Sequence, residues 1–185
     1  MKLLEALFKA QSTLENLGQS NSRSQAEWML QHLLRMERSE LYRQGDLDLT
    51  PEQVEELKEY LRRRKTGEPL QYILGQVDFY HITLKVDQRA LIPRPETEGL
   101  VELALAAMKD IPTPRFLDVG TGSGAIALAV LHDHAGASGV GCDNSSTALQ
   151  LAAENAKCLG LDNRITFVQA DLFAPDFSSK VQGRF

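Results

Sequence analysis

The chain has 185 residues, 43% of them hydrophobic and 24% charged, with a formal net charge of −5. That length holds one large domain or two small ones. The acidic balance argues against wholesale nucleic-acid binding, and no stretch approaches the ~18 consecutive apolar residues of a membrane span. The opening "MKLLEALFKA" is interrupted by Glu5 and Lys9, so it reads as an amphipathic helix and not a secretion signal. Leu3, Leu4, Leu7, Leu14 and Leu17 follow a helical period up to Gly18. Ser22 or Ser24 is placed to cap a second helix bearing Ala26, Met29, Leu30, Leu33 and Leu34. A short third helix is expected after Ser39. Thr50, Pro51 and Gln53 then supply an N-cap, a first-turn proline and a capping box for a helix running to about Lys65 and closing at Gly67. Each helix carries one apolar stripe, so residues 1–66 are expected to pack as a small bundle. This region holds 11 basic and 11 acidic residues, and its "RRRK" run at 62–65 is read as the cationic end of the fourth helix, complementing the dipole.

From Gly67 the composition shifts. "LQYILG" and "FYHITLKV", separated by "GQVD", are rich in β-branched and aromatic residues and predict a β-hairpin linker over 67–92. "IPRPE" makes a stiff loop around Arg94. Thr97 starts a helix with Leu100, Val101, Leu103, Ala104 and Leu105 on its apolar side, ended by "IPTP". The rhythm then becomes strand (115–119), helix (125–132), strand (140–143), helix (146–159, closed by Gly160) and strand (165–170). Such alternation predicts a parallel sheet with right-handed crossovers over 93–185. Cys142 and Cys158 supply neither a disulfide framework nor metal spacing and are expected to be buried thiols in a reducing cytoplasm. His132 and His134, two apart with no third ligand, are read as a solvated helix end.

The chemistry centres on "FLDVGTGSGAIAL". Gly120, Gly122 and Gly124 lie between a strand and a helix, where the backbone must turn tightly and admit a ligand closely. Gly120, Gly122 and Ala125 also satisfy the dinucleotide pattern, and Asp143 stands where a ribose-binding acid ends the second strand, so NAD and S-adenosylmethionine both fit this far. Asp118, two residues before the first glycine, helps decide between them. A carboxylate there repels a diphosphate but suits a sulfonium and an ammonium, and the following helix N-terminus meets the methionine carboxylate. S-adenosylmethionine is therefore the expected cofactor. Asp143 is expected to accept both ribose hydroxyls. Asp171 is placed either near the adenine amino group or as a turn cap, with Leu172 and Phe173 as apolar cover.

With "GEPLQYILG", "LIPRPETE", "LDVGTGSGAIAL" and "ITFVQADLF" in this order, the whole chain resembles the release factor glutamine methyltransferases, the HemK/PrmC family. The resemblance implies an α/β protein: an N-terminal helical bundle that recognises substrate (1–66), the hairpin linker (67–92) and an incomplete class I, Rossmann-like methyltransferase domain (93–185). It implies S-adenosylmethionine-dependent N5-methylation of the glutamine in the Gly-Gly-Gln loop of peptide chain release factors. By the same resemblance the cofactor loop maps to Gly120, Thr121, Gly122, Ser123 and Gly124, the ribose acid to Asp143 and the adenine neighbourhood to Asp171 and Leu172. Pro93, Arg94, Pro95, Glu96 and Thr97 would shape the pocket mouth. The implied protein is a cytoplasmic monomer whose partners are release factors, without a metal and without direct contact to nucleic acid or membrane.

Two small departures are "NSS" after Asp143, where an Ile-Ser-like pair is commoner, and His81, where relatives commonly place glycine. The large one is the family's Asn-Pro-Pro-Tyr signature, which grips the substrate amide and occurs nowhere in the sequence. The chain is therefore expected to be an N-terminal portion, ending at "VQGRF" where a fourth strand should begin and inactive alone. Its first strand would be an unpaired edge, with the bundle folding independently of a looser α/β part. The alternatives are a methyltransferase acting on adenine N6 of nucleic acid, an NAD-dependent oxidoreductase and a non-catalytic binding module.

Overall fold

A computed structural model describes residues 1–181 and 185, so most of the expected fourth-strand start lies outside the described residues. The chain divides into two units, Met1–Leu74 and Gly75–Phe185. In the first, α1 (Leu3–Asn16), α2 (Ser22–Leu34), α3 (Arg38–Arg43), α4 (Pro51–Lys65) and α5 (Leu70–Leu74) enclose a core of Leu3, Leu7, Leu14, Met29, Leu30 and Leu41, each 0–1% exposed. The start of α4 is as expected: the Thr50 hydroxyl accepts from the Gln53 amide, and the Gln53 side chain accepts from the Thr50 amide at 2.9 Å. Neither Ser22 nor Ser24 caps α2. Its N-cap is Asn21 in the left-handed region, with no side-chain cap bond. Glu37, not a serine, caps α3 in a capping box with Glu40.

"LQYIL", expected as a strand, is α5. Pro69 precedes it, Leu70 and Ile73 share one buried face, and the Arg63 guanidinium donates to the Tyr72 and Ile73 carbonyls at 3.2 and 3.3 Å, satisfying the orphan acceptors of its last turn. The basic run is thus largely consumed inside the unit. Arg62 pairs with Glu59, Arg63 also with Glu68, and Arg64 with Gln19, Gln25 and the Glu68 carbonyl.

One charge lies deep in this unit. Glu27 is 2% exposed and accepts from Arg38, Arg23 and the Tyr42 hydroxyl. The Arg38 bonds above all hold its carboxyl below the ordinary carboxylate value, against the opposing effect of burial. A depressed acid contributes stability that is complete above its unfolded pKa of about 4.3 and is lost as pH falls through the lower folded value. Thermal melts of Glu27→Gln should therefore lose part of the wild type's acid-side decline, with the gap between the two proteins narrowing as pH drops below about 4.

In the second unit the hairpin is β1 (Gln76–Phe79) and β2 (Ile82–Lys85), paired antiparallel from Gln76–Lys85 to Phe79–Ile82. "GQVD", expected as the separator, is therefore mostly strand, and the turn falls at Tyr80 and His81 inside the segment expected as one strand. The reason is alternation: Phe79, Ile82 and Leu84 are the buried positions and only this register puts them on one face. Tyr80 takes φ 53°, and His81 Nδ1 lies 2.8 Å from Asp133 Oδ2. The hairpin is not a free-standing linker. Phe79, Ile82 and Leu84 belong to the main core of this unit, with Val101, Leu128, Leu131 and Ile165.

A 3-10 turn at Pro95–Thr97 leads into α6 (Glu98–Met108), followed by β3 (Arg115–Val119), α7 (Ala125–Asp133), β4 (Ser138–Asp143), α8 (Ser146–Cys158), β5 (Ile165–Gln169) and the short α9 (Phe177–Lys180). The sheet is parallel in the order β3-β4-β5, as the alternation predicts. Among the described residues β3 pairs only with β4. On α6 the expected apolar side is too wide. Val101 and Met108 are buried with Ala104 and Leu105 half-buried, whereas Leu100 and Leu103 are 51% and 69% exposed, because only one stripe of a helix can face a core. Cys142 is buried but Cys158, at the last turn of α8, is exposed. His132 is exposed as expected, whereas His134 is partly buried. Arg164 closes the far end of α7 by donating to the carbonyls of Leu131 (2.6 Å), Ala135 (2.9 Å) and His134 (3.1 Å).

Candidate functional site at the glycine loop

β3 ends at Val119, and the chain reverses through Gly120, Gly122 and Gly124 with φ of 75°, 57° and 84° before α7 begins. All three occupy the left-handed region, where a side chain is strained. The loop is stitched to its neighbour: the Gly120 and Thr121 amides donate to the Cys142 carbonyl at 2.8 and 2.9 Å, and the Gly124 amide donates to the Thr121 carbonyl at 2.8 Å.

Asp143 takes up the position expected of it, at the carboxyl end of β4. Its Oδ2 accepts from the Gly122 amide at 2.9 Å and its Oδ1 from the Ser145 amide at 2.9 Å. A carboxylate has about four acceptor sites, so two remain after these bonds. It thus joins the loop to the N-terminal turn of α8, where the Ser145 hydroxyl caps the Ala148 amide.

Asp118 differs from the expectation. It is 9% exposed, and its Oδ2 accepts from the Thr121 hydroxyl at 2.7 Å, so the carboxyl supports the loop from within. Burial raises its pKa, against the Thr121 bond, and nearby Asp143 adds to the rise. Two carboxyl groups thus flank the loop. Among the described residues no lysine or arginine side chain is hydrogen-bonded to residues 118–124 or 143–145.

Asp171 lies one strand over. The Ala170 amide donates to the Asp143 carbonyl at 3.0 Å, which sets the ends of β4 and β5 side by side. Asp171 itself is exposed, and its Oδ1 accepts from the Phe173 amide at 3.0 Å, the turn-cap arrangement. Leu172 and Phe173 are 52% and 92% exposed and cover nothing in the described residues. Pro93, Arg94, Pro95, Glu96 and Thr97 form the approach to α6, with the Thr97 amide donating to the Arg94 carbonyl at 2.9 Å. No hydrogen bond or ion pair between them and the glycine loop occurs among the described residues.

Two residues of the site escaped the sequence reading. Gly141 on β4 is one: a Cβ there would lie 3.0 Å from the Thr121 hydroxyl and 2.8 Å from the Phe167 ring. A glycine inside "VGCD" was a legible sign of such close approach. The other is Asn155 on α8, whose side chain bonds the Ser123 carbonyl and the backbone of Lys85.

A strand, a left-handed glycine turn and a helix, with an acid ending the next parallel strand, form the cofactor corner of a Rossmann-like α/β domain, and residues 112–183 match the methyltransferase domain family. Residues 5–75 match the PrmC N-terminal domain. The chain is thus similar to the PrmC family in its N-terminal unit and to methyltransferases in its second unit. Its relatives named release factor glutamine methyltransferase include those of Chlorobaculum tepidum (40% identical, covering 88% of this chain and 57% of the relative) and Rhodopirellula baltica (41%, 84% and 54%). The Deinococcus radiodurans protein of the same name is 37% identical over 94% of this chain and 62% of its own length. The chain therefore spans between half and two thirds of the length of these relatives. Among solved structures, a methyltransferase from Geobacter sulfurreducens in complex with S-adenosyl-L-homocysteine overlaps 42% of this chain and 30% of its own, at 35% identity and a TM-score of 0.36, too partial an overlap to carry a conclusion.

Proposed function

We propose that this chain is the release factor-binding and cofactor-binding portion of a protein-(glutamine-N5) methyltransferase that uses S-adenosylmethionine. One observation supports the cofactor reading: the glycine loop is bounded by Asp118 and Asp143, and among the described residues no cationic side chain is bonded to it. A diphosphate would meet uncompensated negative charge there, whereas a sulfonium and an ammonium are attracted. The residues present fit the group. Asp143 has acceptor capacity left for ribose hydroxyls, and the loop's left-handed glycines leave space above Gly120, where a Cβ would meet nothing within 4 Å. When bound, S-adenosylmethionine supplies an electrophilic methyl group.

The chain's own residues do the rest of the binding. Asp143 orients the ribose, the N-terminal turn of α7 faces the methionine carboxylate, and Asp171 with Leu172 flanks the adenine. Residues 93–97 bound the mouth. The helical unit engages the release factor, and the protein acts as a cytoplasmic monomer. Nothing in the 185 residues supplies the Asn-Pro-Pro-Tyr grip on an amide nitrogen, a poor nucleophile that must be held and aligned to react. Binding without transfer is therefore the expected behaviour of the chain by itself.

Titration calorimetry with S-adenosylhomocysteine and with NAD, followed by tritiated-methyl transfer assays on release factor and on nucleic acid, tests this. Binding of S-adenosylhomocysteine alone, with no label transferred, is the expected pattern. Binding of NAD in its place sinks the cofactor reading, and label in nucleic acid sinks the substrate reading.

A further inference from the structure

Asn155 is 1% exposed, yet its amide is in full use. Its Oδ1 accepts from the Lys85 amide at 2.8 Å, and its Nδ2 donates to the Lys85 carbonyl at 3.1 Å and the Ser123 carbonyl at 3.0 Å. One donor and two acceptors surround it, so a single orientation of the side chain satisfies all three. An aspartate offers no donor here, and a leucine would leave the partners' polar groups facing apolar surface.

The place of the bonds matters as much as their number. Ser123 is the residue between Gly122 and Gly124, so Asn155 holds the loop at its middle. On the other side it grips β2. The preceding residue repeats the link: Glu154 pairs with Lys85 at 2.5 Å and with Arg89 at 2.6 Å. Ala90 packs with Ala148 and Leu151 of α8. The segment after the hairpin is thus fastened along α8, which begins at the cap joined to Asp143.

We propose that Asn155 is a positioning residue that holds the glycine loop in its ligand-ready shape and ties that shape to the hairpin strand. The inference rests on the loop being the S-adenosylmethionine cradle, because the gain from a fixed loop is a binding site that needs no ordering when ligand arrives.

The test compares Asn155→Ala, Asn155→Asp and, as a control at the opposite end of α7, Arg164→Ala in the 185-residue chain. Amide exchange at Gly122 and Gly124 is followed by NMR, together with calorimetric affinity for S-adenosylhomocysteine. In both Asn155 variants those two amides should exchange about tenfold faster relative to amides of β4, and affinity should fall by about tenfold, while Arg164→Ala changes neither ratio at a comparable loss of Tm. Asn155→Asp keeps the acceptor for the Lys85 amide but sets a carboxyl against the Lys85 and Ser123 carbonyls, so whichever of the two variants folds decides the test. Exchange at Gly122 and Gly124 that rises no more than at β4 would overturn the proposal. If the wild-type chain binds no S-adenosylhomocysteine, the cofactor reading fails, whereas the exchange comparison still decides the role of Asn155.

Discussion

Gly124→Val should destabilise the second unit by about 3–5 kcal/mol and remove measurable affinity for S-adenosylhomocysteine. Two costs add. Gly124 has φ 84°, a conformation that a β-branched residue adopts only under strain. The space is also taken: a Cβ would lie 3.0 Å from Leu128 Cδ1 and 3.3 Å from Ala152 Cβ, both on fully buried residues. Relief by moving the loop breaks the Gly124–Thr121 bond and the first helical bond of α7, in which the Leu128 amide donates to the Gly124 carbonyl at 2.8 Å. Gly99 is the contrast. It lies in α6 with nothing within 4 Å of its built Cβ, and Gly99→Ala should stabilise by about 0.5–1 kcal/mol. Urea unfolding of the two variants measures both effects. A loss under about 1 kcal/mol at Gly124 would mean the turn is not held as described.

Asp143→Ala is the second large effect. The carboxylate carries two charge-assisted bonds, to the Gly122 and Ser145 amides, and its removal orphans both donors. Stability should fall by about 2–3 kcal/mol and affinity for S-adenosylhomocysteine by about 100-fold, since the loop loosens and the ribose loses its acceptor. Asp143→Asn should fall between: it keeps one acceptor but turns a donor toward the other amide. Calorimetry and melting of the three proteins give the order wild type, asparagine, alanine. Unchanged affinity in the alanine variant would remove Asp143 from the site.

The parts of this molecule that were legible in its sequence are those governed by neighbours along the chain. Helix α4 starts where Thr50, Pro51 and Gln53 say it must, because capping is a bond across three residues. Strand β3, the glycine turn and α7 also follow from local pattern, since three positive-φ positions within five residues favour glycine. That Asp143 ends β4 was legible too, because strand length and the turn after it are local. The misreadings share one cause. "LQYIL" is too short for periodicity to separate helix from strand, and it is helical because Arg63 satisfies its last carbonyls and Leu70 and Ile73 have a core to enter. The hairpin turn sits at Tyr80 and His81 because burial of Phe79, Ile82 and Leu84 sets the register.

By itself, then, the sequence determined the helical first part, the parallel α/β type and the glycine turn after β3, because propensity, capping and backbone sterics act within a few residues. Tertiary structure alone decided that Asp118 turns inward to Thr121, that Asp171 serves its own turn, and that Asn155 reaches Lys85 and Ser123, 70 and 32 positions away. A polar side chain's role is set by which partners burial brings within about 3 Å, and that is fixed only when distant segments pack together.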